Sequence, residues 1–317
     1  MDDKKNGLVT VFGGGGFIGR YVCEILFKTG VRVRVAERNP RGAFFLQPLA
    51  RVGQLDLIPA DITRRESVDI AVEGASAVIN LVGILDGDFK AVHVDGAANV
   101  AVAAKQHGAK SLVHISAIGA DPQSPSRYGA SKGDAEGKVR SAFREATILR
   151  PSLVFGQEDR LTNRFASLMS VLPIYPVIAP KTRFQPVFVR DLARAIAAAA
   201  LGPGMHGGKT YEIAGPEVMT MRLLTERIAE LSGQSPTLFD LPDFAAEALS
   251  HLGFLPGAPL TRDQWRMLGR DNVAPNKTSG LFAFGITPTP LAAVAPEWLG
   301  RFREGGRFAA LRESSAA

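Results

Sequence analysis

Tyr128 and Lys132 stand four residues apart in "RYGASKGDAEGKV", so a helix places both on one face. An ammonium beside a phenol stabilises phenolate and lets the tyrosine serve as acid or base near neutral pH. The same lysine can hold sugar hydroxyls. A solvated helix face can carry Tyr-x-x-x-Lys without any chemistry, so the pair gains meaning from its surroundings. It follows a strand-like run, "LVHISAIGA", whose end carries a hydroxyl, Ser116.

A second feature supplies a ligand for such a pair to work on. In "VTVFGGGGFIGRYV" (residues 9–22) the spacing is Gly13-x-x-Gly16-x-x-Gly19, after an apolar run and at the opening of a helix. This is the context of a dinucleotide-binding turn. Gly13 permits the tight turn. Gly16 lets a pyrophosphate approach the backbone, where N–H groups and the helix dipole meet negative charge. Gly19 lets the helix pack close to the sheet. Phe17 and Ile18, which open the helix, belong to the same cradle.

The next strand ends in "VRVAERNPR". Glu37 sits where a carboxylate binds ribose hydroxyls and favours NAD(H). Arg38 and Arg41 sit where guanidinium groups hold the 2′-phosphate of NADP(H). Adjacent strand residues face opposite ways, so Arg38 can reach the phosphate while Glu37 points away. NADP(H) is therefore favoured over NAD(H). Asp61 in "PADI", beside Ile62, follows the third strand, either to take the adenine amino group or to cap a helix.

These residues need a scaffold, and the first half of the chain describes one. Strand-like runs lie at Leu8–Phe12, Val31–Ala36, Leu55–Pro59, Ala77–Val82, Ser111–Ser116 and Thr147–Leu149, with helix-like segments near 17–29, 66–73, 89–106 and 127–145. Short apolar strands alternating with helices build a parallel sheet covered on both faces. The expected fold is α/β: a Rossmann-type doubly wound parallel sheet over residues 1–150, to which 184–200 return. A smaller, mainly helical C-terminal lobe for substrate or docking is expected over 151–317. There "VLPIYPVIAP" is too rich in proline for a regular helix. "FQPVFVRDLARAIAAAA" reads as a short strand and a helix, "TYEIAG" as a strand, and "MTMRLLTERIAELSG" as an amphipathic helix. The remainder reads as helical with Pro/Gly breaks.

The composition, 46% hydrophobic and 21% charged over 317 residues, suits a globular protein with a sizeable core. A net charge of +6 and a pI near 9.6 suit a phosphate-bearing ligand or an anionic docking surface. Basic residues alternate with acids, which argues against nucleic acid as a partner. One cysteine, Cys23, excludes an internal disulfide and points to a reducing, cytoplasmic compartment. "MDDKKNG" lacks the apolar stretch of a signal peptide, and no apolar run reaches the roughly 18 residues of a membrane span. The five histidines show no metal-ligand spacing, so no metal site is expected and structural roles are. Trp265 and Trp298 read as lobe-core or docking anchors.

The stretches "VFGGGGFIG", "PADI", "VINLVG", "YGASK", "ILRPSLVFG" and "FQPVFVRDLA" resemble the extended and atypical short-chain dehydrogenase/reductases, the NAD-dependent epimerase/dehydratase group, over most of residues 8–200. The resemblance implies that Gly13, Gly16, Gly19, Arg38, Asp61, Leu81, Val82 and Gly83 line a cofactor. Tyr128 and Lys132, with Ser116, would form the catalytic set, and the loop of Pro151, Ser152, Leu153 and Val154 would meet the nicotinamide. There are two departures. Phe12 stands where the group often has threonine. Ala117 stands where a second hydroxyl usually helps polarise the substrate carbonyl, and losing such a donor can cost about 10²–10³ in rate.

The later stretches "PLTRDQWRMLGRDNVA" and "LFAFGITPTPLAAVAPEWLGRF" look like the bacterial relatives of the nucleotide-binding accessory subunit of respiratory complex I. That subgroup implies bound NADPH, an assembly or stability role with little or no turnover, and docking on complex I subunits at the cytoplasmic face of the inner membrane. Two alternatives stay open: a free epimerase, dehydratase or reductase acting on a nucleotide sugar or small carbonyl through Tyr128 and Lys132, and an NADP(H) redox sensor.

Overall fold

The computed structural model describes residues 7–253, 260–275 and 280–303. Six strands of the first half form as the apolar runs predict: β1 (Leu8–Phe12), β2 (Arg32–Glu37), β3 (Leu55–Pro59), β4 (Ala77–Asn80), β5 (Ser111–Ile115) and β6 (Thr147–Pro151). With a returning strand, Thr210–Ile213, they make one seven-stranded sheet. Its order is Thr210–Ile213, β6, β5, β4, β1, β2, β3, and every pairing is parallel. β1 and β4 are neighbours whose connections leave in opposite directions. Open α/β sheets bind ligands at such a switch point.

Helices cover both faces. On one, α2 (Arg65–Val72), α3 (Gly96–Gln106) and α4 (Arg127–Ala142) enclose a core that includes Phe12, Val78, Leu112, Val100 and Val139. On the other, α1 (Phe17–Thr29) packs against helix Val189–Leu201, where the Arg190 guanidinium lies 4.8 Å over the Tyr21 ring and bonds Glu24 at 3.1 Å. The helix expected over 89–106 is divided: a π-helical turn, Lys90–Asp95, precedes α3.

The described chain falls into two compact units. The first holds the chain to Pro151 with Val189–Ile213 and Gly280–Thr287, and the second holds the rest. The expected return segment 184–200 is thus split at Phe188/Val189. The second unit has its own core, with Phe155, Leu224, Ile228, Leu291 and Trp298 buried together. Its reading as helical beyond residue 233 needs correction. Thr237–Asp240 is a strand, paired in parallel with Ile174–Val177. Four residues are too few for a helical period to be tested, and Thr, Leu and Phe suit a strand. Parts of the C-terminal stretches quoted above lie outside the described residues. Among those described, no helix is long and apolar enough to cross a membrane.

Two glycines of α4 separate packing from propensity. A Cβ on Gly133 would stand 2.5 Å from the carbonyl carbon of Asp121, whereas one on Gly137 would meet nothing within 4 Å. Gly133→Ala should therefore lower stability, while Gly137→Ala should raise it by about 0.5–1 kcal/mol through helix propensity alone. Urea denaturation of the two variants checks the opposite signs.

Candidate functional site

The glycine turn connects β1 to α1 at the switch point. Gly13 has φ +82°, a conformation that a side chain strains, and a Cβ there would stand 3.4 Å from the backbone of Leu81 and Val82 after β4. Gly19 is required for a different reason from the expected helix–sheet contact: its Cβ would stand 2.6 Å from Gly14 Cα, within the turn itself. α1 begins at Gly16 with no side-chain cap and no acidic residue in its first turn. Its first N–H groups, including those of Phe17 and Ile18, have no intrahelical acceptors, as an anion site requires.

Glu37 does not point away from the turn. Its carboxylate accepts the Gly15 N–H at 2.7 Å, and burial pushes its pKa up against that bond. Arg38 and Arg41 are exposed. Asp61 is not a helix cap: α2 is capped at Arg64, and Asp61 Oδ1 accepts the Thr63 N–H at 2.9 Å and its hydroxyl at 2.8 Å. The Thr63 amide, with Arg38 and Arg64 nearby, holds the Asp61 carboxyl below the usual range. The Ile62 side chain packs in the core against Gly96, and its carbonyl accepts the Asn99 side-chain amide at 2.9 Å.

After β4, the Leu81 N–H donates to Phe12 O at 3.0 Å and the Val82 N–H to Asn80 Oδ1 at 3.1 Å. Gly83 lies over Lys132: a Cβ there would stand 3.4 Å from Nζ. Lys132 projects from α4 into the interior, 3% exposed, and donates to Ile115 O at 3.0 Å. Burial brings its pKa down to about 8, with Glu136 opposing. Tyr128 is half-buried, with its ring centroid 6.0 Å from Nζ. Its pKa is pushed up to about 12 by burial, not lowered by the ammonium as the spacing suggested. The ammonium is committed to Ile115 instead. Ser116 is buried, and its Oγ has no partner among the described residues.

Two histidines read as structural from the sequence prove to surround the lysine. His93, set by the π-helical turn, accepts the Ile84 N–H on Nε2 at 2.9 Å, so the neutral ring carries its proton on Nδ1. That N–H donates to Ser131 Oγ at 2.8 Å, and the hydroxyl donates to Tyr128 O at 2.8 Å. His114 on β5 takes the opposite tautomer. Asn80 Oδ1 is used by Val82, so its amide nitrogen faces His114 Nδ1 at 3.4 Å and the ring proton sits on Nε2. Nε2 has no partner among the described residues. Burial first, and the Lys132 charge second, bring both rings down to about 3. No residue spacing signals either role: the π-helical turn around His93 leaves no period to read, and His114 sits in a strand buried at every position.

Pro151 ends β6 in the first unit; Ser152, Leu153 and Val154 belong to the second. Asn272, from "GRDNVA", organises that loop. Its Oδ1 accepts the Ser152 hydroxyl at 2.7 Å and the Leu153 N–H at 3.0 Å.

The donor set of the first unit fits a ligand with phosphates and ribose. It offers a helix N-terminus without a side-chain cap behind a glycine turn, a buried ammonium and a serine hydroxyl with no partner among the described residues. Comparison with known proteins agrees. An NAD(P)H-binding family model matches residues 13–166. The mouse (Mus musculus) mitochondrial NADH dehydrogenase (ubiquinone) 1 alpha subcomplex subunit 9 is 33% identical over 305 residues, covering 93% of this chain and 80% of the mouse protein. A ceramide reductase of Caulobacter vibrioides is 28% identical over 248 residues, covering 77% and 76%. The Escherichia coli NADPH-dependent quinone oxidoreductase QOR2, solved with NADPH, superposes with a TM-score of 0.73 at 23% identity over 92% of this chain and 99% of its own, which shows the shared fold.

The neutral histidines carry a pH dependence. With folded pKa values near 3 and an unfolded value near 6.5, the unfolded chain binds more protons between these limits. Stability present above pH 6.5 is lost as the pH falls toward 3, by on the order of 1–2 kcal/mol per ring between pH 7 and 5. Urea midpoints at the two pH values should therefore differ more for the native protein than for His114→Asn.

Proposed function

Because this chain belongs to the family of subunit 9 of the NADH dehydrogenase (ubiquinone) 1 alpha subcomplex and carries an NAD(P)H-binding stretch over residues 13–166, we propose that it is a nucleotide-binding accessory or assembly subunit of an NADH:quinone oxidoreductase, which holds NADP(H) with little or no turnover. One observation carries this reading. The likeness to the mouse subunit runs over 93% of the chain, well beyond the 13–166 stretch that nucleotide binding accounts for. The chemistry of the site supports it. The Lys132 ammonium is directed to Ile115, the Tyr128 phenol is held near 12, and Ala117 stands beside Ser116. Those parts hold a nucleotide better than they activate a carbonyl.

In this reading Gly13, Gly16, Phe17, Ile18 and Gly19 cradle the pyrophosphate. Glu37, Arg38, Arg41, Asp61 and Ile62 surround the adenosine half. Leu81, Val82, Gly83, Ser116, Tyr128, Lys132 and Pro151 serve the nicotinamide half. The choice of NADP(H) rests on Arg38 and Arg41, both exposed guanidinium groups following a carboxylate that already accepts the Gly15 amide. A second reading, a free reductase or epimerase, draws on Tyr128 and Lys132 sharing α4. It requires hydride exchange that Tyr128→Phe abolishes while cofactor binding stays intact.

Two measurements test the proposal. In gently solubilised host membranes run on a native gel, the protein should migrate with the NADH:quinone oxidoreductase band; recovery in the soluble fraction alone would overturn the assignment. NADPH should raise Tm more than NADH, by mass action on the folded state. Arg38→Ala should weaken NADPH about tenfold, roughly 1.4 kcal/mol, and leave NADH unchanged.

A further inference from the structure

Glu136 and Arg150 have no part in the site described above, yet they join the stretches that carry it. Glu136 lies one helical turn past Lys132 on α4 and is 9% exposed. Arg150 of β6 grips it with two parallel bonds, Nε to Oε1 at 2.8 Å and Nη2 to Oε2 at 2.7 Å. The same guanidinium reaches Glu212 of the neighbouring strand Thr210–Ile213 at 3.5 Å. A bidentate pair fixes distance and plane together. It also carries a desolvation cost that apolar side chains of similar size avoid, so packing alone gives no reason for it. Within one turn, α4 is thus pinned to β5 through Lys132 and to β6 through Glu136.

We propose that Glu136, gripped by Arg150, is a positioning residue for Lys132: it sets the register of α4 on the sheet and supplies the negative charge that the buried ammonium faces. This rests on the reading of Lys132 as a contact to the nicotinamide half of a dinucleotide. The groups around Lys132 are Tyr128 and Glu136 on α4, His93 on the π-helical turn, and His114 and Ser116 on β5. Both imidazoles are neutral and the phenol is protonated at neutral pH. Glu136 is the anion of this set, and its charge works against the burial that draws the lysine down.

The test measures binding of NADPH and of 2′,5′-ADP by the full chain across the pH range of Lys132. The second ligand carries the adenosine phosphates and lacks the nicotinamide ribose. NADPH affinity should fall as the pH rises through about 8, while 2′,5′-ADP shows no such midpoint. In Glu136→Gln the NADPH midpoint should move down by roughly half a pH unit, about twofold weaker binding at pH 8 and about threefold well above it, with 2′,5′-ADP unaffected. Glu136→Asp keeps the carboxylate and should keep the midpoint. If Glu136→Gln does not fold, the double variant Glu136→Met/Arg150→Met replaces the pair with apolar side chains; because the Arg150 cation leaves with the carboxylate, the midpoint should move in the same direction by less. An unmoved midpoint, or equal weakening of both ligands, overturns the proposal, as does failure of both variants to fold. Failure of the native protein to bind either ligand would instead overturn the dinucleotide reading beneath it.

Discussion

An ammonium buried at the carboxyl end of β5 constrains every group near it. Lys132 is 3% exposed, and burying a cation is costly unless acceptors and counter-charge surround it. The Ile115 carbonyl provides one bond. The histidines on either side respond by staying neutral in opposite tautomers, since a second cation there would add repulsion to desolvation. His93 satisfies both its nitrogens and thereby ties the segment after β4 to the start of α4. The arrangement is a chain of choices about protons that begins with one lysine.

The glycine turn imposes a second constraint, steric rather than electrostatic. α1 approaches its own turn so closely that Gly19 admits no Cβ, and the turn in turn touches Leu81 and Val82. β1 and β4 must therefore be neighbours in the sheet before the cradle can form. The parallel order around β1 is what brings an uncapped helix end, a carboxylate from β2 and the segment after β4 to one place.

The elements legible in the sequence are those whose signal is local. The apolar runs of β1 to β6 and the spacing of Gly13, Gly16 and Gly19 announce a dinucleotide fold without any tertiary knowledge, and the strands form within two residues of their expected ends. What could not be read depends on partners distant in the chain. Tyr-x-x-x-Lys places two side chains on one face but does not say which acceptor the ammonium takes. That acceptor is Ile115, seventeen residues away. Alternation on β2 separates Glu37 from Arg38 but does not reveal that Gly15 offers an amide to the carboxylate. The strand Thr237–Asp240 exists because Ile174–Val177 pairs with it, a fact absent from its own four residues.

Holding a dinucleotide and turning it over draw on overlapping parts, and the balance among them separates the two roles. Turnover needs a phenol that can lose its proton near neutrality and a donor aimed at a developing oxyanion. Here the phenol is held near 12 and the residue after Ser116 is alanine. Holding needs a pyrophosphate cradle and a cation at the nicotinamide ribose. In the proposed reading both come from rigid elements: a turn that tolerates no Cβ at Gly19, and a lysine on a helix bound to the sheet through Glu136 and Arg150. The rigid investment lies on the side of holding. That asymmetry fits a nucleotide whose binding stabilises the chain more readily than one whose chemistry the chain drives.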